Sequence, residues 1–534
     1  MTVVDLTPID RYLAEQADLT AVTRFSQFHD DPDERKHADR HYRELIPLER
    51  PAPGEQYRFD VDLDACTGCK ACVTACHNLN GLDDGEAWRS VGLLHGSNGT
   101  PYRQTVTTAC HHCLDPACLN GCPANAYTKD ATTGIVKHLD DQCIGCGYCT
   151  FMCPYDVPQY NDRLGIVRKC DMCQDRLATG EAPACVQGCP NDAISIGVVS
   201  VDELRASAST ETLVTDAPPS HITIPTTRYR SRRSQDGLIA ADHFALRPAV
   251  AHPPLAIMLV LTQLSVGAFL AEFVLRSVAP AGDVSGLRSF NAPVALALGL
   301  LALGASVLHL GRPLYAFRAA LGVAHSWLSR EIIAFGAFSA LASAYAVTSL
   351  TSWPSGGANV LRPFVALSGT LGVGCSVMVY AVTRRTWWRP LTTGTKFVGT
   401  SAVCGSATVL VTASVGAPGV VRPIALTLMA ATAIKLASEA VLFRHLREGR
   451  DTERKRTAML LTGDLGRATW WRFIAGIAGG LVAPAIVLAS TGGSSPVAVA
   501  FVSIAGALTV TAGELIERAQ FFRAVVSPRM PGGV

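Results

Sequence analysis

The chain has 534 residues and a formal net charge of only +2, a balance that offers no electrostatic case for a nucleic-acid partner. Charged residues make up 17% and hydrophobic residues 49%, mean hydropathy is positive, and the length allows more than one domain. Those averages hide a split. Up to about residue 247 the chain is polar and carries sixteen of the eighteen cysteines, and from Pro253 onward it is a run of long apolar segments. A soluble, cysteine-rich half followed by a membrane half is the expectation.

Residues 1–57 form an N-terminal extension without a metal motif. The stretch HDDPDERKHADRHYREL is charged and helix-compatible, and its histidines, set among salt-bridging residues, read as solvated rather than as ligands. The first twenty residues have no basic start, apolar core or twin arginine, so they do not read as a signal peptide. The first half is then expected in a reducing compartment, where thiols bind metals instead of forming disulfides.

Residues 58–200 hold four groups of four cysteines. They are Cys66, Cys69, Cys72 and Cys76; Cys110, Cys113, Cys118 and Cys122; Cys143, Cys146, Cys149 and Cys153; and Cys170, Cys173, Cys185 and Cys189. Zinc sites usually take two cysteines from each of two short knuckles. Here a third cysteine follows in the same loop and a fourth lies on the next helical turn, the spacing C-x2-C-x2-C-x3-C-P in the third group. That is the ferredoxin pattern: three thiolates of one loop wrap a [4Fe–4S] cube and the fourth cysteine reaches across to the neighbouring cube. Four cubes are expected, with a mixed zinc and cluster protein as the alternative. Two-cluster modules nest, which pairs the middle groups with each other and the outer groups with each other. Small or apolar residues between the cysteines, such as Ile144, Gly145 and Gly147, let backbone N–H groups approach the sulfurs.

Residues 201–250 are rich in Ser, Thr, Ala and Pro, then basic in TTRYRSRRSQD, and read as a mostly irregular linker. Its arginines face an anionic lipid surface, a neighbouring domain or solvent.

Residues 251–534 contain eight segments of spanning length: 253–275, 292–308, 332–350, 364–382, 397–415, 423–442, 473–490 and 497–515. Every second loop is basic, as are the segment before the first span and the tail. The positive-inside rule therefore puts the cysteine-rich domain, the linker and the C-terminus in the cytoplasm. Lys435 and Glu439 lie within the sixth span, four residues apart; they either pair with each other or serve a function. His252, His309, His325 and His445 all sit near span ends, so no facing pair is expected to hold a haem. Cys375 and Cys404, inside spans four and five, read as small packing residues.

The group order, with RKCDMCQDRL and PACVQGCP, resembles the four-cluster electron-transfer subunit of the dimethyl sulfoxide reductase family of molybdoenzymes. The stretch HLGRPLYAFRAALGVAHSWLSREI is similar to that family's haem-free, menaquinol-oxidising membrane anchor. The resemblance implies an α+β ferredoxin-like four-cluster domain followed by an all-α polytopic bundle of eight transmembrane helices. It implies four ligand sets: Cys66, Cys69, Cys72 and Cys189 nearest a catalytic partner; Cys76, Cys170, Cys173 and Cys185; Cys110, Cys113, Cys118 and Cys153; and Cys122, Cys143, Cys146 and Cys149 nearest the membrane. It implies a quinol site at His309, ending the second span, and Glu331, opening the third. The chemistry stands beside that match: quinol oxidation sheds two protons, and a histidine and a carboxylate near water accept them. Arg312 or Arg330 is the alternative partner that would make Glu331 structural; His325 reads as a surface histidine, and Glu514 and Glu517 are weaker candidates. The family usually splits the two halves between chains, whereas here they are fused.

The function expected is an electron-transfer and membrane-anchor subunit in the bacterial inner membrane. Menaquinol is oxidised, and electrons cross four clusters to a molybdopterin-containing catalytic subunit on a separate chain. The alternatives are reverse flow from a dehydrogenase partner to quinone, and an ion-translocating protein driven by its clusters, in which Lys435 and Glu439 would matter.

Overall fold

In the computed structural model the described residues are 7–17, 23, 43–96, 102–209, 212–351, 355–490, 495–526 and 529–532. The expectation for His29, His37 and His41 in the N-terminal extension lies outside them.

The cysteine-rich half is small α+β. Its central strand β1 (Glu55–Asp62) pairs antiparallel with β8 (Ile194–Ser200), joining the two ends of the cysteine-bearing segment. Tyr57, Phe59 and Val61 alternate with Gln56, Arg58 and Asp60 along it, and all six are buried because both faces of the strand are covered. Strands β2 (Ser90–Gly96) and β3 (Arg103–Thr108) form a second antiparallel pair. The hairpins β4 (Tyr127–Lys129) with β5 (Val136–His138) and β6 (Gln159–Asn161) with β7 (Ile166–Arg168) frame the middle cysteine groups. Each group feeds a short helix: Ala71–Asn80, Ala117–Gly121, Tyr148–Met152 and Ala184–Gln187.

The stretch expected to be irregular contributes two strands. β9 (Arg228–Arg230) lies parallel to β1 and β10 (Leu238–Ala240) antiparallel to β2. The arginines there are turned onto the cysteine-rich half: Arg228 Nε donates to Asp60 at 2.7 Å, and the Arg233 guanidinium lies 4.9 Å from the Tyr102 ring centroid. Sheet edges left open by β1 and β2 recruit the segment, which overrides its weak local propensity.

Among the described residues, eight helices are long and apolar enough to cross a membrane: Pro253–Val278, Leu287–Val307, Trp327–Leu350, Gly356–Ala381, Pro390–Gly416, Pro418–Arg447, Gly466–Ser490 and Pro496–Arg523. Each overlaps an expected segment. Most are longer, because helices continue through terminal polar and aromatic residues that an apolar count cuts off; the third starts at Trp327, ahead of Glu331. The basic loops gather on the side of the cysteine-rich half. Arg312 donates to the Asp140 carbonyl, Arg385 to those of Thr150 and Phe151, and Arg456 meets His243. The tail returns to the same side, where the Leu93 N–H donates to the Gly532 carbonyl at 3.1 Å.

Buried charges of the fifth to eighth spans form one network, which contains the expected Lys435–Glu439 pair and extends it to partners from other spans. Lys435 pairs with Glu514, while Glu439 lies 3.9 Å from Lys435 and takes a two-pronged bond from Arg472 at 3.0 Å. Arg472 also reaches Glu514 at 2.8 Å, Lys396 holds Glu517, and Arg518 reaches Gln263 and Thr400. Arg472 and Glu514 come from the seventh and eighth spans, too distant in sequence for a four-residue spacing rule to find. A charge in this setting persists only when paired. Lys435→Met leaves the Glu514 and Arg472 charges unevenly matched, and the expected cost is about 3–5 kcal/mol. Thermal unfolding of the detergent-solubilised chain measures it.

The two halves meet where glycine backbones touch. The Gly311 N–H donates to the Gly145 carbonyl at 3.3 Å and the Arg312 N–H to that of Ile144 at 3.1 Å. A Cβ on Gly145 or Gly311 would overlap the Gly165 carbonyl oxygen, and Gly145 holds φ +68°, so no side chain fits there. Gly311→Ala is expected to destabilise the joint by about 1–3 kcal/mol. Limited proteolysis should then cut residues 309–326 faster than in the parent chain.

Candidate functional site

The folded chain regroups the cysteines across their sequence groups. Cys66, Cys69, Cys72 and Cys189 line one cavity. Cys110, Cys113, Cys118 and Cys153 line a second, and Cys122, Cys143, Cys146 and Cys149 a third. Cys76 faces Cys173 and Cys185, and Cys170 faces Cys76 and Cys185, which gathers the remaining four. The last cysteine of each group thus leaves its own loop. The helix after each loop carries it one turn away, toward the neighbouring set.

The chemistry of these sets decides what they hold. Burial first, and neighbouring cysteines second, push the Cys76, Cys146 and Cys173 thiols up to about 12. Four thiolates in a dry cavity repel one another and need a cationic core. Among the described residues, no three His, Cys, Asp or Glu side chains close on a single ion. Four sulfurs around a void fit a polynuclear iron–sulfur cluster, whose sulfurs stand apart, better than zinc. Backbone N–H groups point at the sulfurs: Gly145 at Cys143 (3.4 Å), Met172 at Cys170 (3.4 Å), Ala126 at Cys122 (3.2 Å) and Ala193 at Cys189 (3.3 Å). Such bonds stabilise the thiolate and tune a bound cluster.

The set with Cys122 and Cys143 is the one on the membrane half. The Ser326 hydroxyl donates to the Gly121 carbonyl at 2.7 Å, and the Gly322 N–H to that of Pro123 at 2.8 Å. Arg318 donates to the Asp141 carbonyl at 2.6 Å, and the Tyr148 hydroxyl to that of Val379 in the fourth span. His325 is exposed as expected, yet its Nε2 lies 3.0 Å from the Cys122 carbonyl oxygen.

A cavity of about 1270 Å³ opens between the halves. Cys146 and Gly147 line both this cavity and the smaller one of their own cysteine set. His309 lines it with His252, Phe151, Trp388 and Phe522. Phe151 packs edge-on against Trp388 and His252, with ring centroids 5.4 and 5.2 Å away. His309 Nδ1 is buried and has no hydrogen-bond partner among the described residues. Burial lowers the His309 pKa, so the imidazole is neutral near pH 7. Glu331 is not among the residues of this cavity. It is buried between the third and fourth spans, accepts from the Ser376 hydroxyl, and lies close enough to Tyr148 to act on its phenol. Neither arginine neutralises it: Arg312 is spent on Asp140, and Arg330 on the Val323 and Ala324 carbonyls. His309 and Glu331 therefore flank one cysteine loop from separate elements without sharing the cavity.

Sequence reasoning passed over several buried groups beside the cysteines. His138 Nδ1 lies 2.8 Å from Asp140 while the ring borders the Cys143 set, a placement the spacing H-x-D-x-x-C hints at. Lys169 directly precedes Cys170. Arg89 has no local signal, because β2 and β3 bring it in. Cys404 is buried in the bundle with Thr511 Oγ1 3.9 Å from its sulfur, and Cys375 is half-buried, both in keeping with packing.

A family model described as the DMSO reductase anchor subunit (DmsC) matches residues 249–523, more than half the chain, and a 4Fe-4S dicluster domain model matches residues 102–199. The chain belongs to the dimethyl sulfoxide reductase family. Its cysteine-rich half is 38% identical over 179 residues to the B subunit of the anaerobic dimethyl sulfoxide reductase of Escherichia coli K12, covering 32% of this chain and 86% of that one. It is 38% identical over 154 residues to the thiosulfate reductase electron transfer subunit PhsB of Salmonella typhi, covering 28% and 80%. It is 36% identical over 155 residues to the formate dehydrogenase-O iron-sulfur subunit of Escherichia coli K12, covering 26% and 51%. This member of the family is an iron–sulfur electron-transfer unit fused to a multi-pass membrane anchor.

The regrouping makes a sharp prediction. Cys153→Ser should alter the same electron paramagnetic resonance signal as Cys110→Ser, and leave the signal changed by Cys143→Ser, although Cys153 and Cys143 share a loop. Spectra of reduced membranes from the three variants check it.

Proposed function

We propose that this chain oxidises menaquinol at the junction of its halves and delivers the electrons, through four [4Fe–4S] clusters, to a molybdopterin-containing catalytic subunit on a separate chain. The observation that carries the proposal is the shared wall: Cys146 and Gly147 border both the His309 cavity and the cavity of the Cys122, Cys143, Cys146 and Cys149 set. The sixteen cysteines would hold the clusters in the four sets described, and clusters bound there supply one-electron carriers in series.

The remaining chemistry belongs to the chain's own residues. Phe151, Trp388 and Phe522 offer apolar faces to a quinol ring. His309, neutral and with a free buried nitrogen, accepts a quinol proton as electrons leave. Glu331, without a cationic partner, is the second acceptor, on the membrane side of Tyr148. The cavity is bordered by Asp242, His243, Asp451 and Arg456, which provide polar groups toward the face where the cysteine-rich half sits. The basic loops on that face support an orientation with the cysteine-rich half and the C-terminus on the cytoplasmic side of a bacterial inner membrane. The protons are released there. The likeness to a formate dehydrogenase subunit supports a second reading, in which a dehydrogenase partner feeds electrons in and the same cavity reduces quinone.

His309→Ala should cut quinol-dependent reduction by about 10²-fold or more while iron content stays at the parent level. Stopped-flow reduction with a menaquinol analogue, beside iron assay of the same membranes, tests it. Unchanged reduction would remove the site from His309.

A further inference from the structure

Two of the buried cations of the cysteine-rich half, Arg89 and Lys169, lie each at a boundary between cysteine sets. Arg89 is 2% exposed. Its Nη1 donates to Thr107 Oγ1 at 3.2 Å, and that hydroxyl lies 3.5 Å from Cys72 Sγ. Its Nε and Nη2 are buried with no hydrogen-bond partner among the described residues, and its guanidinium lies 4.8 Å from the Phe59 ring centroid. The charged groups that face it are Cys72, of one set, and Cys76, Cys170 and Cys185, of the next. Lys169 is equally buried and lines the cavity of Cys110, Cys113, Cys118 and Cys153. Its Nζ donates to the carbonyls of Val136 and of Cys170, at 2.9 Å for the latter, and it faces Cys110 and Cys118 on one side and Cys170 on the other. Between the sets of Cys118 and Cys122 stands Tyr127, a neutral phenol.

A buried guanidinium with two unpaired nitrogens is costly unless an anion lies beside it. The anions this fold supplies are cysteine thiolates. We propose that Arg89 and Lys169 are positioning residues of the relay, fixed buried cations that raise the reduction potentials of the clusters on either side of them. The proposal rests on the four-cluster reading. A cluster that accepts an electron becomes more negative, and a fixed cation in a low-dielectric interior favours that state over the oxidised one. Arg89 acts on the sets of Cys72 and Cys185, and Lys169 on the sets of Cys170 and Cys110. The set of Cys122 and Cys143, which neither cation faces, is the internal control.

The test is a redox titration monitored by electron paramagnetic resonance, on membranes carrying the full complex, for the parent chain, Arg89→Gln, Arg89→Lys and Lys169→Gln. Arg89→Gln should shift two of four midpoints downward by at least a tenfold change in the one-electron equilibrium, about 59 mV. Arg89→Lys, which keeps the charge, should restore most of that shift. Lys169→Gln should lower two midpoints, one of them shared with Arg89→Gln. The signal assigned to the Cys122 set through Cys143→Ser should stay in place throughout. Parent membranes with four cluster signals, together with variants whose midpoints all match them, would overturn the inference and leave the relay standing. So would Arg89→Lys falling as far as Arg89→Gln. If Arg89→Gln loses its clusters, Lys169→Gln alone decides by the same criterion. Parent membranes without four such signals would remove the four-cluster reading itself.

Discussion

The contact of the Gly311 backbone with Gly145 and Gly165 determines how the membrane half meets the cysteine-rich half. Gly145 lies between two cysteines of one loop, and Gly311 follows the second span by a few residues. With no side chains at these positions, backbone reaches backbone, and the loop of residues 309–326 settles onto the segments carrying Cys122 and Cys143. His309 is then held two residues from the joint, and the wall of one cysteine set becomes the wall of its cavity. A bulkier pair would keep both domains intact and still separate them, and electron transfer weakens steeply with separation.

The two halves solve the same electrostatic problem in opposite ways. In the bundle, Lys396, Lys435, Arg472 and Arg518 meet Glu439, Glu514 and Glu517, so charge is settled inside the protein. In the cysteine-rich half, Arg89 and Lys169 face thiols, and Arg89 keeps two nitrogens without protein acceptors. The first sets carboxylates beside its cations, although Arg518 also keeps two buried nitrogens without an acceptor among the described residues; the second is completed by what the thiols bind. Glu331 belongs to neither, since among the described residues only the Ser376 hydroxyl is bonded to its carboxylate. A carboxylate left that way in a membrane protein is the kind that serves proton chemistry.

The cysteine spacing was legible because it is local: a loop of short steps and one helical turn determine which thiols stay together and which cross over. The eight spans were legible because length and apolarity are summed over about twenty residues. What escaped is long-range. The strands β9 and β10 form because sheet edges were waiting, and nothing in TTRYRSRRSQD says so. Lys435 does lie 3.9 Å from Glu439, as the local spacing suggested, but its closer partner is Glu514, 79 residues on. Arg89 reaches the cysteines only through the pairing of β2 with β3. His309 lines the cavity between the halves, while its separation from the Glu331 pocket is a matter of helix packing that no local spacing shows.

Fusion gives the joint a further property. The polypeptide crosses between the halves at residues 241–252, where β10 leads to the first span, and returns when the tail brings Gly532 to Leu93 and Asp242. The joint combines backbone hydrogen bonds and glycine contacts with side-chain bonds from Arg312, Arg318, Ser326 and Arg385 and with the packing of Tyr148 and Phe151 on the bundle; each hydrogen bond contributes only about 0.5–1.5 kcal/mol net. As an encounter between separate chains, such a surface would also bear the translational and rotational cost of association. Tethered at both ends, it forms at an effective concentration in the millimolar range or above. A joint that separate chains would have to find by collision is therefore held in register here by the chain itself. Phe151 of the cysteine-rich half, packed on Trp388 and Phe522, serves both as part of that contact and as a wall of the cavity.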